Sequence, residues 1–128
     1  MKFEMTENGF ETETSYGKLA ISSNDEFGFR PFQLLVSSVA VCSGGVMRKI
    51  LDKMRMPAEH ITVEAKEIVR NPDVADRIER IHLHFTIKGS SIEDSKMDRV
   101  LELTTKNCSM VQSVHDSIEI VETYEIVK

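Results

Sequence analysis

The longest patterned stretch of the chain is residues 30–56, RPFQLLVSSVAVCSGGVMRKILDKMRM, and it predicts one long helix. Pro31 suits the first helical turn, where its missing N–H costs nothing. Pro57 stops the pattern, because the residue before a proline is pushed out of the helical region. No charge interrupts residues 34–47, so that half is apolar or small all the way round, the pattern of a helix buried on every side. Residues 48–55 are amphipathic, with Ile50, Leu51 and Met54 inward and Lys49, Asp52 and Lys53 outward. Cys42 sits in the middle of the uncharged half. Gly44 and Gly45 follow it, each costing about 1 kcal/mol of helix propensity relative to Ala. They predict the close approach of another backbone or of a ligand.

Elsewhere the period is mostly two. Residues 1–22 alternate in short runs (Phe3 and Met5; Phe10, Thr12 and Thr14; Leu19 and Ile21) separated by turn signals at Asn8-Gly9 and Tyr16-Gly17, which predicts a β-meander. Residues 22–28 read as a polar loop. Residues 61–69 predict a strand with Ile61, Val63, Ala65 and Val69 on one face. Residues 78–88 predict its hairpin partner, with Ile81, Leu83, Phe85 and Ile87 inward and Arg80, His82, His84 and Thr86 outward. Residues 90–107 predict a second helix, started by the capping-box spacing of Ser90 and Glu93 and presenting Met97, Val100, Leu101 and Thr104. Ser109 and Gln112 repeat that spacing, predicting a short third helix that carries Val111 and Val114 and ends at Asp116 or Ser117. Residues 118–127 predict a last strand, with Ile118, Ile120, Tyr124 and Ile126 set against a solvated acidic face.

Strands and helices do not alternate regularly, so the fold class is α+β, within a single domain spanning residues 1–128. A sheet covers only one side of the long helix. Its all-round apolar half therefore predicts a second subunit on the other side, a homodimer.

Composition narrows the function. With 41% hydrophobic and 29% charged residues, the 128-residue chain fits one globular core. A net charge of −5 without a Lys/Arg block argues against nucleic acid. The uncharged run is too short to span a bilayer, and the acidic N-terminus MKFEMTENGF does not read as a secretory signal. A cytoplasmic location follows as the expectation. Two cysteines in such a chain read as free thiols or a redox pair.

Cys108 precedes a predicted helix N-terminus, where backbone N–H groups favour a thiolate. Cys42 has Ser38 one turn before it and Lys49 two turns after it. The plain alternative is that both are small core residues. His82 and His84 lie two apart on one strand face, but no third metal ligand is signalled, so exposed strand histidines are the simpler reading. His60 and His115 read as surface residues, with His115 a candidate for the pocket of Cys108. Met110 is a candidate pocket lining. No G-x-S-x-G, phosphate loop or H-E-x-x-H occurs.

Residues 31–45, PFQLLVSSVAVCSGG, resemble the segment P-x-E-L-L-L-A-A-L-A-x-C of the OsmC/Ohr family (osmotically induced protein C and organic hydroperoxide resistance proteins). Residues 107–111, NCSMV, are similar to that family's C-P-V-S turn, and the order of elements agrees over nearly the whole chain. The resemblance implies antiparallel sheets packed on a long central helix in an intertwined homodimer. It also implies a thiol peroxidase that needs neither metal nor cofactor. Cys42 would be the peroxidatic thiolate, Cys108 the resolving thiol, and a lipoamide-like dithiol the reductant of the pair. The family's activating Glu and Arg lack plain counterparts: the matching stretch offers Gln33, and Arg30 is the nearest guanidinium in sequence. Ser109 stands where many members have Pro. The alternative expectation is a non-catalytic dimeric binding module for a small apolar ligand, with redox-sensing or incidental thiols; a purely structural dimer is a third.

Overall fold

The computed structural model describes residues 1–128, which divide into two compact units, residues 1–37 and 38–128. The first unit holds strands β1 (Phe3–Met5), β2 (Phe10–Glu13) and β3 (Lys18–Ile21), an antiparallel meander in that order. Gly9 forms the first turn, its carbonyl accepting from the Thr6 N–H at 2.8 Å. A Cβ at Gly9 would run into the Ile21 carbonyl oxygen, so glycine is required for β3 to lie this close. The expected face of Phe3, Met5 and Phe10 is present, and all three side chains are exposed.

Helix α1 (Pro31–Lys53) starts as the sequence suggested and stops earlier. Arg30 stands just outside it. The Gln33 Oε1 accepts from the Arg30 N–H at 3.0 Å, the half of a capping box in which the third helical side chain reaches back. At the far end Met56 N–H donates to Leu51 C=O and Arg55 N–H to Asp52 C=O, with Arg55 at φ 60. That is a Schellman closure, complete before Pro57.

The expectation of burial all round does not hold within one chain. Val39, Ser43, Met47 and Leu51, four residues apart, form a buried row. Val41 is 73% exposed and Gly45 faces open space, while a Cβ on Gly44 would meet Val63 Cγ2 at 3.0 Å. Of the two glycines, only Gly44 is therefore explained by close packing within this chain. By length and composition the whole helix, unlike its uncharged run, is sufficient to cross a membrane, with a mean hydropathy of 1.5 over its most apolar window. Its one-sided burial, with a serine in the buried row, is the pattern of a helix packed on protein.

In the second unit β4 (His60–Asn71) and β5 (Arg77–Lys88) pair antiparallel, as the sequence predicts. β6 (Glu119–Val127) then joins the other edge of β5 in parallel, so this sheet is mixed. A parallel neighbour needs a crossover, and α2 (Met97–Asn107) and α3 (Ser109–Val114) supply it. Ile81, Leu83, Phe85 and Ile87 of β5 are fully buried, as are Met97, Val100 and Val111 of the helices.

Three local expectations fail. A bulge between Ala65 and Glu67 shifts the register of β4. Ile68 then takes the phase of Ile81, and Val69, expected inward, is exposed. α2 begins at Met97 after a single 3-10 turn at Asp94–Lys96, and the Glu93 N–H points to the Met56 sulfur rather than into a box with Ser90. Gln112 does not close a box with Ser109 either: its Nε2 donates to the Thr105 carbonyl at 3.0 Å.

Candidate active site

Ser43 is the one polar member of the buried row on α1, and no turn of its own helix takes its hydroxyl. It donates instead to the Cys108 Sγ at 3.4 Å. Cys108 is fully buried, between the end of α2 and the start of α3. One residue back along α1, the half-buried Cys42 has its Sγ 3.7 Å from the Ser109 Oγ. The two Cys-Ser dipeptides thus meet crosswise, each cysteine against the other's serine. Both thiols are free.

The electrostatics separate them. Cys42 is held below the ordinary thiol value, chiefly because the Met110 backbone N–H donates to its sulfur. Partial burial opposes this, and the Cys108 thiol and Ser109 add further donors. Cys108 is pushed up, first by its burial and then by the neighbouring Cys42, against the opposing hydrogen bonds from Ser43 and from the Val111 backbone. The sequence assigned the favourable helix end to Cys108 because it adjoins α3. In the folded chain the start of α3 serves both sulfurs: Met110 and Ser109 donate to Cys42, from a segment more than sixty residues away, and the Val111 N–H to Cys108.

The structure therefore brings Cys42 and Cys108 together. Arg30 and Gln33 lie in the first unit, where each already has a partner. The Arg30 guanidinium sits over the Phe32 ring, 4.9 Å from its centroid, and the Gln33 oxygen caps the helix. Met110 contributes its backbone N–H to Cys42. His115 is exposed beside Asp116, 3.5 Å away.

His82 and His84 are half-buried and bonded rather than free on a solvated face. His82 Nε2 and His84 Nδ1 lie 2.8 and 2.7 Å from the Thr123 Oγ1, and His84 Nε2 lies 3.3 Å from the Glu125 Oε1. No three His, Cys, Asp or Glu side chains converge as a metal site would require.

Three contributors were missed in the sequence: Ser43, Ser109 as a hydroxyl donor, and the Met110 N–H. The only sequence signal was that a serine follows each cysteine. Glu122 was missed as well. Paired with Leu83 across the β5–β6 register, it lies on the core face. Burial raises its pKa, Thr105 donates to Oε1 at 3.2 Å, and Oε2 is buried without a partner.

An open cleft of about 540 Å³ runs along the other face of α1, between Val41, Gly44, Gly45 and Arg48 on one side and His60 and Ile61 on the other. Cys42 is not part of its lining.

Two neighbouring free thiols of opposite shift, one on a long helix and one at a crossover turn of an α+β chain, define a thiol-pair protein. The OsmC-like protein family matches residues 22–123, and the chain belongs to that family. Solved structures agree in fold. A hypothetical protein from Aquifex aeolicus superposes with a TM-score of 0.86 at 24% identity, over 98% of this chain and 93% of that one. An OsmC like protein from Mycoplasma pneumoniae gives 0.81 at 13% identity, over 99% and 95%. An organic hydroperoxide resistance protein OsmC from Legionella pneumophila gives 0.71 at 14%, over 97% and 93%. No curated protein matches the chain by sequence.

Proposed function

We propose that this protein is a thiol peroxidase that reduces organic or lipid hydroperoxides. The observation that carries the reading is the thiol pair itself: a half-buried Cys42 with hydrogen-bond donors aimed at its sulfur, beside a buried Cys108 held as the thiol. The Cys42 thiolate attacks the terminal peroxide oxygen. An S–O bond forms and the O–O bond breaks. The alkoxide leaves as the alcohol after taking up a proton, and Cys42 becomes a sulfenic acid, oxidised by two electrons. Cys108 then attacks the Cys42 sulfur. The disulfide forms, and hydroxide leaves with the Cys108 proton as water. Exchange with an external dithiol of lipoamide type restores both thiols.

The working unit in this reading is an intertwined homodimer in the cytoplasm, with α1 central and covered by the second subunit. The exposed Val41 and the open space at Gly45 favour it. Neither cofactor nor metal enters the reaction. Backbone N–H groups and the Ser109 hydroxyl at Cys42 take over activation from the carboxylate that Gln33 replaces.

The cleft along Val41, Gly44 and Ile61 favours a second reading, a non-catalytic dimer that binds a small apolar ligand. Turnover of cumene hydroperoxide with a dithiol reductant, lost in Cys42→Ser, separates the two. A protein that binds an apolar probe and turns nothing over is the second.

A further inference from the structure

We propose that Ser43 and Ser109 are positioning residues that divide the labour between the thiols, Ser109 fixing Cys42 as the attacking sulfur and Ser43 preparing Cys108 for the closing step. The inference rests on the thiol-pair reading above and adds residues to it.

The geometry gives each sulfur a serine partner from the other dipeptide. Ser43 O–H donates to the Cys108 sulfur at 3.4 Å, and the neighbouring Cys108 thiol adds to the lowering of Cys42. From the other side the Ser109 hydroxyl lies 3.7 Å from the Cys42 sulfur, within reach for a hydrogen bond to sulfur. With Cys42 as the thiolate, the Ser109 hydroxyl and the Met110 backbone N–H are both placed to donate to it, since a thiolate accepts from several donors and gives none.

Ser43 is fully buried, and a serine within a helix ordinarily returns its hydroxyl to the carbonyl one turn back. Its bond to a distant sulfur is thus a specific use of a buried polar group. In the closing step Cys108 gives up its proton as its sulfur takes on charge. The Ser43 O–H is already placed to stabilise that charge, as a hydrogen bond to the charged form does for any thiolate.

Two readouts test this, neither of which needs a hydroperoxide. The first is the pH dependence of Cys42 alkylation by iodoacetamide, read by mass spectrometry of its peptide. The second is the rate of Cys42–Cys108 disulfide closure driven by diamide. In that reaction the Cys42 thiolate adds to the N=N bond, and Cys108 displaces the hydrazine, which keeps the thiol proton. The protein loses two electrons and the diazene gains them.

Ser109→Ala should move the Cys42 midpoint up by roughly half to one pH unit, the size of one lost hydrogen bond to a thiolate, and Ser109→Thr should restore it. Ser43→Ala should leave that midpoint closer to wild type but slow closure about tenfold from the Cys42 adduct, with Ser43→Thr recovering part of the rate. Thermal melts of all four variants identify any loss of fold, and the threonine variants keep the test decisive if an alanine variant melts early. Wild-type midpoints and wild-type closure rates in folded alanine variants would overturn the inference. Wild-type protein that is inert to cumene hydroperoxide, while the serine effects persist, would defeat the peroxidase reading and leave this one standing.

Discussion

The Cys42 sulfur faces the Ser109 hydroxyl at 3.7 Å, so the residue after the second cysteine acts on the first. The two thiols have opposite characters, chiefly because the Met110 backbone N–H lowers Cys42 and burial raises Cys108. The lowered Cys42 ionises at a pH where an ordinary thiol stays protonated, and the raised Cys108 does not. At pH 7, limiting iodoacetamide should therefore modify Cys42 well ahead of Cys108, by about tenfold or more. Peptide mapping after a short pulse checks this. Equal labelling would mean that the donors at the start of α3 do not hold the thiolate.

Glu122 gives a stability prediction with a definite sign. Burial raises its pKa. Its contribution is thus fully present below the unfolded carboxylate value of about 4.3 and is lost as pH rises through the folded value. Glu122→Gln keeps an oxygen for Thr105 and removes the buried charge. It should raise the melting temperature at pH 7, by the equivalent of about 1 kcal/mol, and leave it nearly unchanged at pH 4. Melts of both proteins across that range decide the matter.

These two sites mark what the sequence could and could not reveal. Alternation identified β5 and its buried Ile81, Leu83, Phe85 and Ile87, and the same alternation placed Glu122 in phase with Ile120 and Tyr124, a signal available and read past. The β4 bulge was hidden, because the extra residue is defined by pairing with β5 and not by any pattern within β4. The ends of α1 were set by hydrogen bonds of Gln33, Arg55 and Met56 rather than by the two prolines alone. The separate roles of the two thiols entered through family resemblance. Local reasoning gave the helix-end donors to Cys108, its neighbour in sequence; the fold leaves it the Val111 N–H and delivers those of Met110 and Ser109 to Cys42.

Thr123 links His82 and His84 through one hydroxyl. Thr123→Val keeps the shape and removes that oxygen, so two half-buried ring nitrogens lose a partner. A loss of about 1–2 kcal/mol is expected, read by urea unfolding at pH 8. Substituting Thr123→Ser, which retains the oxygen, should cost less than half as much.

The exposed side of α1 predicts assembly. If a second subunit covers Val41, then Val41→Asp places a charge in an apolar contact, and a dimer should give way to monomer in light scattering coupled to gel filtration. A wild-type protein that is already monomeric at micromolar concentration would remove the dimer from the account.

The most direct test of the central claim is steady-state reduction of cumene hydroperoxide by dihydrolipoamide, run beside hydrogen peroxide, in wild type, Cys42→Ser and Cys108→Ser. The account predicts turnover that prefers the organic substrate and is abolished in Cys42→Ser. In Cys108→Ser it predicts a single oxidation that stops at the sulfenic acid, with little turnover. Equal inertness of all three proteins, or full activity in Cys42→Ser, would contradict it.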